Sequence, residues 1–221
     1  MIKYDDIAKM IDHSLLNPSL TIDEVTEGCK LAAKYRVASV CVRPSDVILA
    51  KEILKDSDVL TTTVIGFPHG TATTGTKVFE AAEAIKNGAV ELDVVLNIGR
   101  LRSNDLDFVK EDIRSVADIV HKNNMIIKVI FENCFLNKNQ KIDACRICNE
   151  IGVDYIKTST VYGTGGATNE DLVLMRKYSD PEIKIKAAGG VRTLERAIEI
   201  KKLGCSRFGA TATVNILGRL K

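Results

Sequence analysis

No apolar run in this 221-residue chain approaches the roughly 20 residues a membrane-spanning helix needs, so no membrane partner is expected. An excess of one charge is missing too. Lys and Arg number 31 against 29 Asp and Glu, and the net +2 gives no bulk attraction to nucleic acid or to a membrane surface. The opening "MIKYDDIAKM" has acids and no apolar stretch, unlike a secretion signal. Six scattered cysteines suit reduced thiols and a cytoplasmic location rather than a disulfide framework. "CRIC" at 145–148 is a lone C-x-x-C in a helical pattern, read as two packed or half-exposed thiols rather than a metal or redox site. The three histidines, His13, His69 and His121, have no ligand spacing, so neither metal nor cofactor is expected. A G-x-G-x-x-G turn after an early strand is absent, which speaks against an open doubly wound sheet. No linker or composition shift divides the chain, and residues 1–221 read as one domain.

What is present is regular alternation. At 45% hydrophobic and 27% charged, the composition is that of a globular protein long enough to bury a substantial core. Seven β-rich runs recur, at 37–42, 60–67, 90–96, 125–131, 153–159, 183–188 and 206–210, with helical patterns between them. Val109, Ile113, Val116 and Val120 form the stripe of one amphipathic helix. Parallel strands need such crossovers, so the alternation predicts a parallel sheet. With "MIDHSLL" (10–16) as an eighth strand, the sheet closes into a (β/α)₈ TIM barrel.

Left-handed helix caps then suggest a common strand register. Gly88, Gly152 and Gly204 each precede a strand, and five residues later stand Asp93, Lys157 and Gly209. Counting from Asn123 as an equivalent cap reaches Lys128, and counting from Arg36 reaches Cys41. Leu92, Val94 and Leu96 take one face of their strand and should meet helices, which turns Asp93, Lys128 and Lys157 into the barrel. Lys186 lies near the end of the following strand. A lone lysine at a strand end most often snorkels to solvent. Three inward lysines on consecutive strands repel one another, which is useful if one must be a nucleophile. A free lysine, pKa ~10.4, needs roughly 4 kcal/mol of destabilisation to be neutral at pH 7. A second ammonium ~5 Å away supplies about 3 kcal/mol at an effective dielectric of ~20. Partial desolvation completes the shift, and a neutral amine can form a Schiff base with a carbonyl.

The motifs "IDHSLLNP", "VASVCVRPSDV", "VIGFPHG", "ELDVVLNIG", "KVIFENC", "DYIKTST", "GATNEDLVLM", "IKAAGGVRT" and "RFGAT" follow one another along nearly the whole chain. In this the sequence resembles the deoxyribose-phosphate aldolases, class I enzymes that cleave 2-deoxy-D-ribose 5-phosphate into D-glyceraldehyde 3-phosphate and acetaldehyde. The resemblance implies that Lys157 is the Schiff-base lysine, Lys186 the cation that depresses its pKa, and Asp93 the group that handles protons through a water. It places Lys128, Asp12, Ser14 and Thr160 along the active site, and it implies a homodimer or homotetramer. The glycine turn 187–193 and the strand end 207–211 sit where such barrels commonly bind phosphate, which makes Gly189, Gly190, Gly209 and Thr211 the candidates.

Three positions depart from the family pattern. Val161 and Tyr162 follow "KTST" where glycine is usual at the first, Thr211–Ala212 replaces a serine pair, and "GRLK" ends without the tyrosine tail of some members. The first is expected to narrow the entrance or alter backbone contacts near the phosphate, the second removes one hydroxyl, and the last is expected to affect rate and proton path more than reaction type. Another Schiff-base barrel aldolase acting on a different phosphorylated sugar, or an inactive sugar-phosphate-binding barrel, remains open at this level.

Overall fold

Eight strands rich in β-branched residues alternate with helices through the computed structural model, which describes residues 2–220. The strands are β1 (Ile11–Leu15), β2 (Ser39–Val42), β3 (Leu60–Ile65), β4 (Glu91–Val95), β5 (Ile126–Ile130), β6 (Tyr155–Lys157), β7 (Lys184–Ala188) and β8 (Cys205–Ala210). Each pairs in parallel with its sequence neighbours, and β8 pairs with β1 to close a single-domain (β/α)₈ barrel. The helices are α1 (Asp5–Ala8), α2 (Ile22–Lys34), α3 (Val47–Leu54), α4 (Thr74–Asn87), α5 (Ile98–Arg102), α6 (Leu106–Lys122), α7 (Lys138–Ile151), α8 (Asn169–Tyr178), α9 (Leu194–Lys202) and α10 (Thr213–Leu217). Among the described residues no helix is long and apolar enough to cross a membrane.

The main apolar core lies between barrel and helices. Val40, Val42, Leu92, Val94, Ile127, Val129, Ile156, Ile185 and Phe208 face outward into it, and the buried stripe Val109, Ile113, Val116 and Val120 of α6 covers the part over β4 and β5. Strict alternation therefore turns Glu91, Asp93, Lys128, Lys157, Lys186 and Arg207 inward. Caps fix the helix starts: Thr21 and Glu24 form a reciprocal box on α2, and Thr168 and Thr193 accept backbone N–H groups of α8 and α9.

Gly88, Gly152, Gly204 and Arg36 do adopt left-handed conformations before their strands. Asn123 does not. Its φ is −95°, and the left-handed residue is Asn124 at φ 57°. The count that reached Lys128 therefore started one residue early. The ladder shows the consequence, because Lys157 pairs with Ile130, while Lys128 pairs with Tyr155 and Asp93. Lys128 faces inward as expected but lies one inward step deeper than Lys157 along that pair, as barrel stagger requires.

Candidate active site

Asp93 is the hub of the barrel interior. Its Oδ2 accepts hydrogen bonds from Lys157 Nζ at 2.8 Å and Lys186 Nζ at 2.6 Å, and its Oδ1 accepts one from Lys128 Nζ at 3.0 Å. Lys186 Nζ also pairs with Asp12 at 2.5 Å, and Lys128 Nζ with Glu91 at 2.6 Å. Arg207 completes the network through Asp12 and, at 2.7 Å, Glu91. The three inward lysines do gather around Asp93 as expected, but Asp93 is not the lone carboxylate among them. Three carboxylates stand inside, and they are matched by Lys128, Lys186 and Arg207.

Lys157 reaches Asp93 alone, through an oxygen it shares with Lys186, while each of the other three cations reaches at least two carboxylates, so Lys157 is the surplus cation. Burying an unmatched charge is costly, and an amine avoids that cost by losing its proton. Burial is the largest influence pulling the Lys157 pKa down, and the Lys186 ammonium adds to it, while the Asp93 carboxylate opposes both. The neighbouring ammonium, expected from the sequence to dominate, ranks behind burial. For Lys186 and Lys128 burial also opposes the charge, but their carboxylate partners prevail and both pKa values are raised. Asp93 and Asp12 are held well below the usual carboxylate range despite burial, by Lys128 foremost for Asp93 and by Lys186 foremost for Asp12. One free amine among fixed ions can act as a nucleophile toward a carbonyl.

A cavity of about 610 Å³ opens at the C-terminal ends of the strands above this network. Lys157, Lys186, Asp12, Ser14 and Thr160 line it, together with Gly189, Gly190, Gly209 and Thr211 from the segments that end β7 and β8. Asp93 and Lys128 are wholly buried beneath, so Lys128 reaches the cavity only through its neighbours. Gly189 must be glycine on two grounds: its φ is 90°, and an added Cβ would stand 2.7 Å from Gly166 Cα. At Gly209 a Cβ would meet nothing nearer than 3.9 Å, so that glycine keeps cavity space free rather than relieving the backbone.

The segment after β6 borders the cavity and carries the departure at 161–162. Val161 has φ 73°, a conformation that costs an ordinary L-residue about 1–2 kcal/mol. Its side chain is 57% exposed and contributes little packing in return. Val161→Gly should therefore raise the free energy of unfolding by about 1 kcal/mol, the strain relieved outweighing the extra chain entropy of glycine. A urea titration reads this as a higher midpoint at unchanged slope; a lower midpoint would show that Val161 is not strained.

Several site residues carry no direct sequence signal. Glu132, buried at φ 55°, accepts the Thr160 N–H and hydroxyl and so fixes the segment after β6. His13 Nδ1 lies 2.9 Å from Thr213 Oγ1, tying β1 to the start of α10 beside Thr211. Burial pushes the His13 pKa down to about 4, so the ring is neutral at pH 7. Alternation along the strand puts Glu91 on the face of Asp93, as expected, and the same rule applied from Gly209 would have found Arg207 two residues before it. Among the described residues no group of His, Cys, Asp and Glu side chains is arranged to hold a metal ion. Cys145 and Cys148 are both buried, packed as one of the two expected alternatives has it.

Comparison with known proteins agrees with this architecture over its whole length. The chain is 48% identical to the deoxyribose-phosphate aldolase of Rhodopirellula baltica, across 99% of this chain and 91% of that one. A crystal structure from Coccidioides immitis superposes with a TM-score of 0.94 at 38% identity, covering 99% of this chain and 87% of the other. The tetrameric deoxyribose phosphate aldolase from Aeropyrum pernix superposes with a TM-score of 0.91 at 25% identity, covering 98% and 91%. The model of the DeoC/LacD family aldolases matches residues 7–217, and the chain belongs to that family.

Proposed function

We propose that this protein cleaves 2-deoxy-D-ribose 5-phosphate reversibly into D-glyceraldehyde 3-phosphate and acetaldehyde through a Schiff base on Lys157. The observation that carries the reading is the charge balance of the barrel interior, in which four cations face three carboxylates and Lys157 reaches only Asp93, which it shares with Lys128 and Lys186. The neutral amine adds to the C1 aldehyde, and loss of water leaves an iminium. Breaking the C2–C3 bond sends its electron pair toward nitrogen, giving an enamine on Lys157 and an aldehyde at C3 once the C3 hydroxyl proton has gone. Asp93, working through a water, is the acceptor nearest Lys157. Protonation at C2 and hydrolysis then release acetaldehyde.

Lys186 adds to the burial that keeps Lys157 unprotonated, Lys128 holds the second oxygen of Asp93, and Asp12, Ser14 and Thr160 shape the sugar end. Gly189, Gly190, Gly209 and Thr211 receive the phosphate, largely through backbone N–H groups. The reduced thiols support a cytoplasmic location, and the one closed barrel supports reading the chain as a single domain. The tetramer of the Aeropyrum pernix relative supports a homo-oligomer, either dimer or tetramer.

Borohydride reduction in the presence of acetaldehyde, followed by peptide mapping, tests the assignment. The two-carbon adduct should appear on Lys157. An adduct chiefly on Lys128 or Lys186 would overturn these roles, and no adduct at all would overturn the Schiff-base reading.

A further inference from the structure

The Tyr162 hydroxyl donates a 2.8 Å hydrogen bond to the Leu16 carbonyl, joining the segment after β6 to the segment after β1 across the mouth of the barrel. Both ends of this bridge are anchored. On one side the Tyr162 N–H donates to Thr160 Oγ1 at 3.0 Å, and Thr160 is fastened to buried Glu132. On the other side Arg43 donates to the carbonyls of Pro18 and Leu20 at 3.1 and 3.0 Å and pairs with Asp46 at 2.6 Å. The tyrosine ring also packs edge-on against Phe67, with centroids 5.3 Å apart. On the far side of the bridge lies a second cavity of about 460 Å³, bordered by segments following β3, β4 and β5. Tyr162 and Thr160 line both cavities.

We infer that Tyr162 is a specificity-determining residue that limits the size of the carbonyl compound able to form the nucleophilic enamine on Lys157. The inference rests on the proposed reaction, which fixes the substrate at two points. Its phosphate lies against the ends of β7 and β8, and its C1 is bonded to Lys157 on β6. A substituent added at the C1–C2 end must extend away from the phosphate, toward β3–β5. There the bridge and the Phe67 ring stand between it and the second cavity. Acetaldehyde carries no such substituent, whereas propanal carries one methyl group and butanal an ethyl group on the carbon that forms the new bond. The chemistry is unchanged: the donor condenses with Lys157 by losing water, its α-carbon bonds to the acceptor aldehyde carbon, and hydrolysis restores the lysine.

The test compares kcat/KM for acetaldehyde, propanal and butanal as donors to D-glyceraldehyde 3-phosphate, in the wild type, Tyr162→Phe and Tyr162→Ala. A pocket wall discriminates one methylene by roughly 10–200-fold, so Tyr162→Ala should raise the propanal-to-acetaldehyde ratio by about tenfold and the butanal ratio by more. Tyr162→Phe keeps the ring and loses one hydrogen bond, so its ratio should rise by about two- to fivefold. Borohydride trapping with each donor shows whether the variant still folds around a reactive Lys157. Ratios unchanged in a Tyr162→Ala protein that traps acetaldehyde would overturn the gate and leave the proposed function standing. If Tyr162→Ala does not trap, an unchanged ratio in Tyr162→Phe overturns it instead. A wild type inert toward acetaldehyde would overturn both.

Discussion

Lys186→Leu should lose about a hundredfold in kcat/KM at pH 7 and recover much of it at alkaline pH. In the native interior, Lys128, Lys186 and Arg207 balance the charges of Asp12, Glu91 and Asp93 through shared pairs, so Lys157 can be neutral. Removing Lys186 leaves three carboxylates and two fixed cations, and Lys157 becomes the third. The direction follows from two effects of the same sign. The ammonium that lowers the Lys157 pKa is gone, and Asp93, which raises it, has lost a competing partner. The two lysine nitrogens share one oxygen of Asp93, which puts them roughly 5 Å apart or less. At that distance and an effective dielectric of ~20, the lost repulsion is about 3 kcal/mol, the source of the hundredfold. Because the nucleophile is the unprotonated amine, activity lies on the high-pH side of this titration, and raising the pKa moves the acid limb of the kcat/KM profile upward. The fold should survive, since Asp12 keeps Arg207 and Asp93 keeps Lys128 and Lys157. A loss equal at every pH would mean that Lys186 acts on substrate rather than through Lys157.

The inward lysines and Asp93 were legible because a strand has a period of two and the apolar partners of each residue announce the other face. Leu92, Val94 and Leu96 declare the orientation of Asp93 as clearly as any ligand would. Heights were harder. Asn123 and Asn124 are chemically identical caps, and the backbone alone decides which is left-handed, so one residue of uncertainty entered the position of Lys128. Counter-ions were harder still. Alternation put Glu91 on the face of Asp93 and the resemblance put Asp12 along the site, but that Arg207 joins both depends on barrel closure between β1 and β8, which local pattern does not encode. The bridge from Tyr162 to Leu16 spans 146 positions. The sequence marks Tyr162 as unusual but says nothing of its partner, because a backbone carbonyl has no residue identity to read.

Asp93→Asn should separate Schiff-base formation from turnover. The amide is uncharged and offers one acceptor oxygen where the carboxylate offers two, so it cannot serve all three lysines that now donate to Asp93. With one carboxylate fewer, the matched cations outnumber the anions, and Lys157 is driven further toward the neutral form. Its capture by acetaldehyde and borohydride should therefore persist at pH 7 and extend to lower pH than in the wild type. Turnover is another matter. Cleavage must move a proton from the C3 hydroxyl, and the positioned acceptor for it is gone, an effect worth typically 10²–10⁴-fold. The three lysines hold Asp93 well below the ordinary carboxylate range, which makes it a weak base. A weak base contributes less, so kcat should fall by about a hundredfold, toward the low end of that range. Trapping and turnover thus move in opposite directions, and this cannot be mistaken for unfolding, which would abolish both. Wild-type kcat in Asp93→Asn would remove Asp93 from proton transfer and leave it only the task of holding three lysines in place.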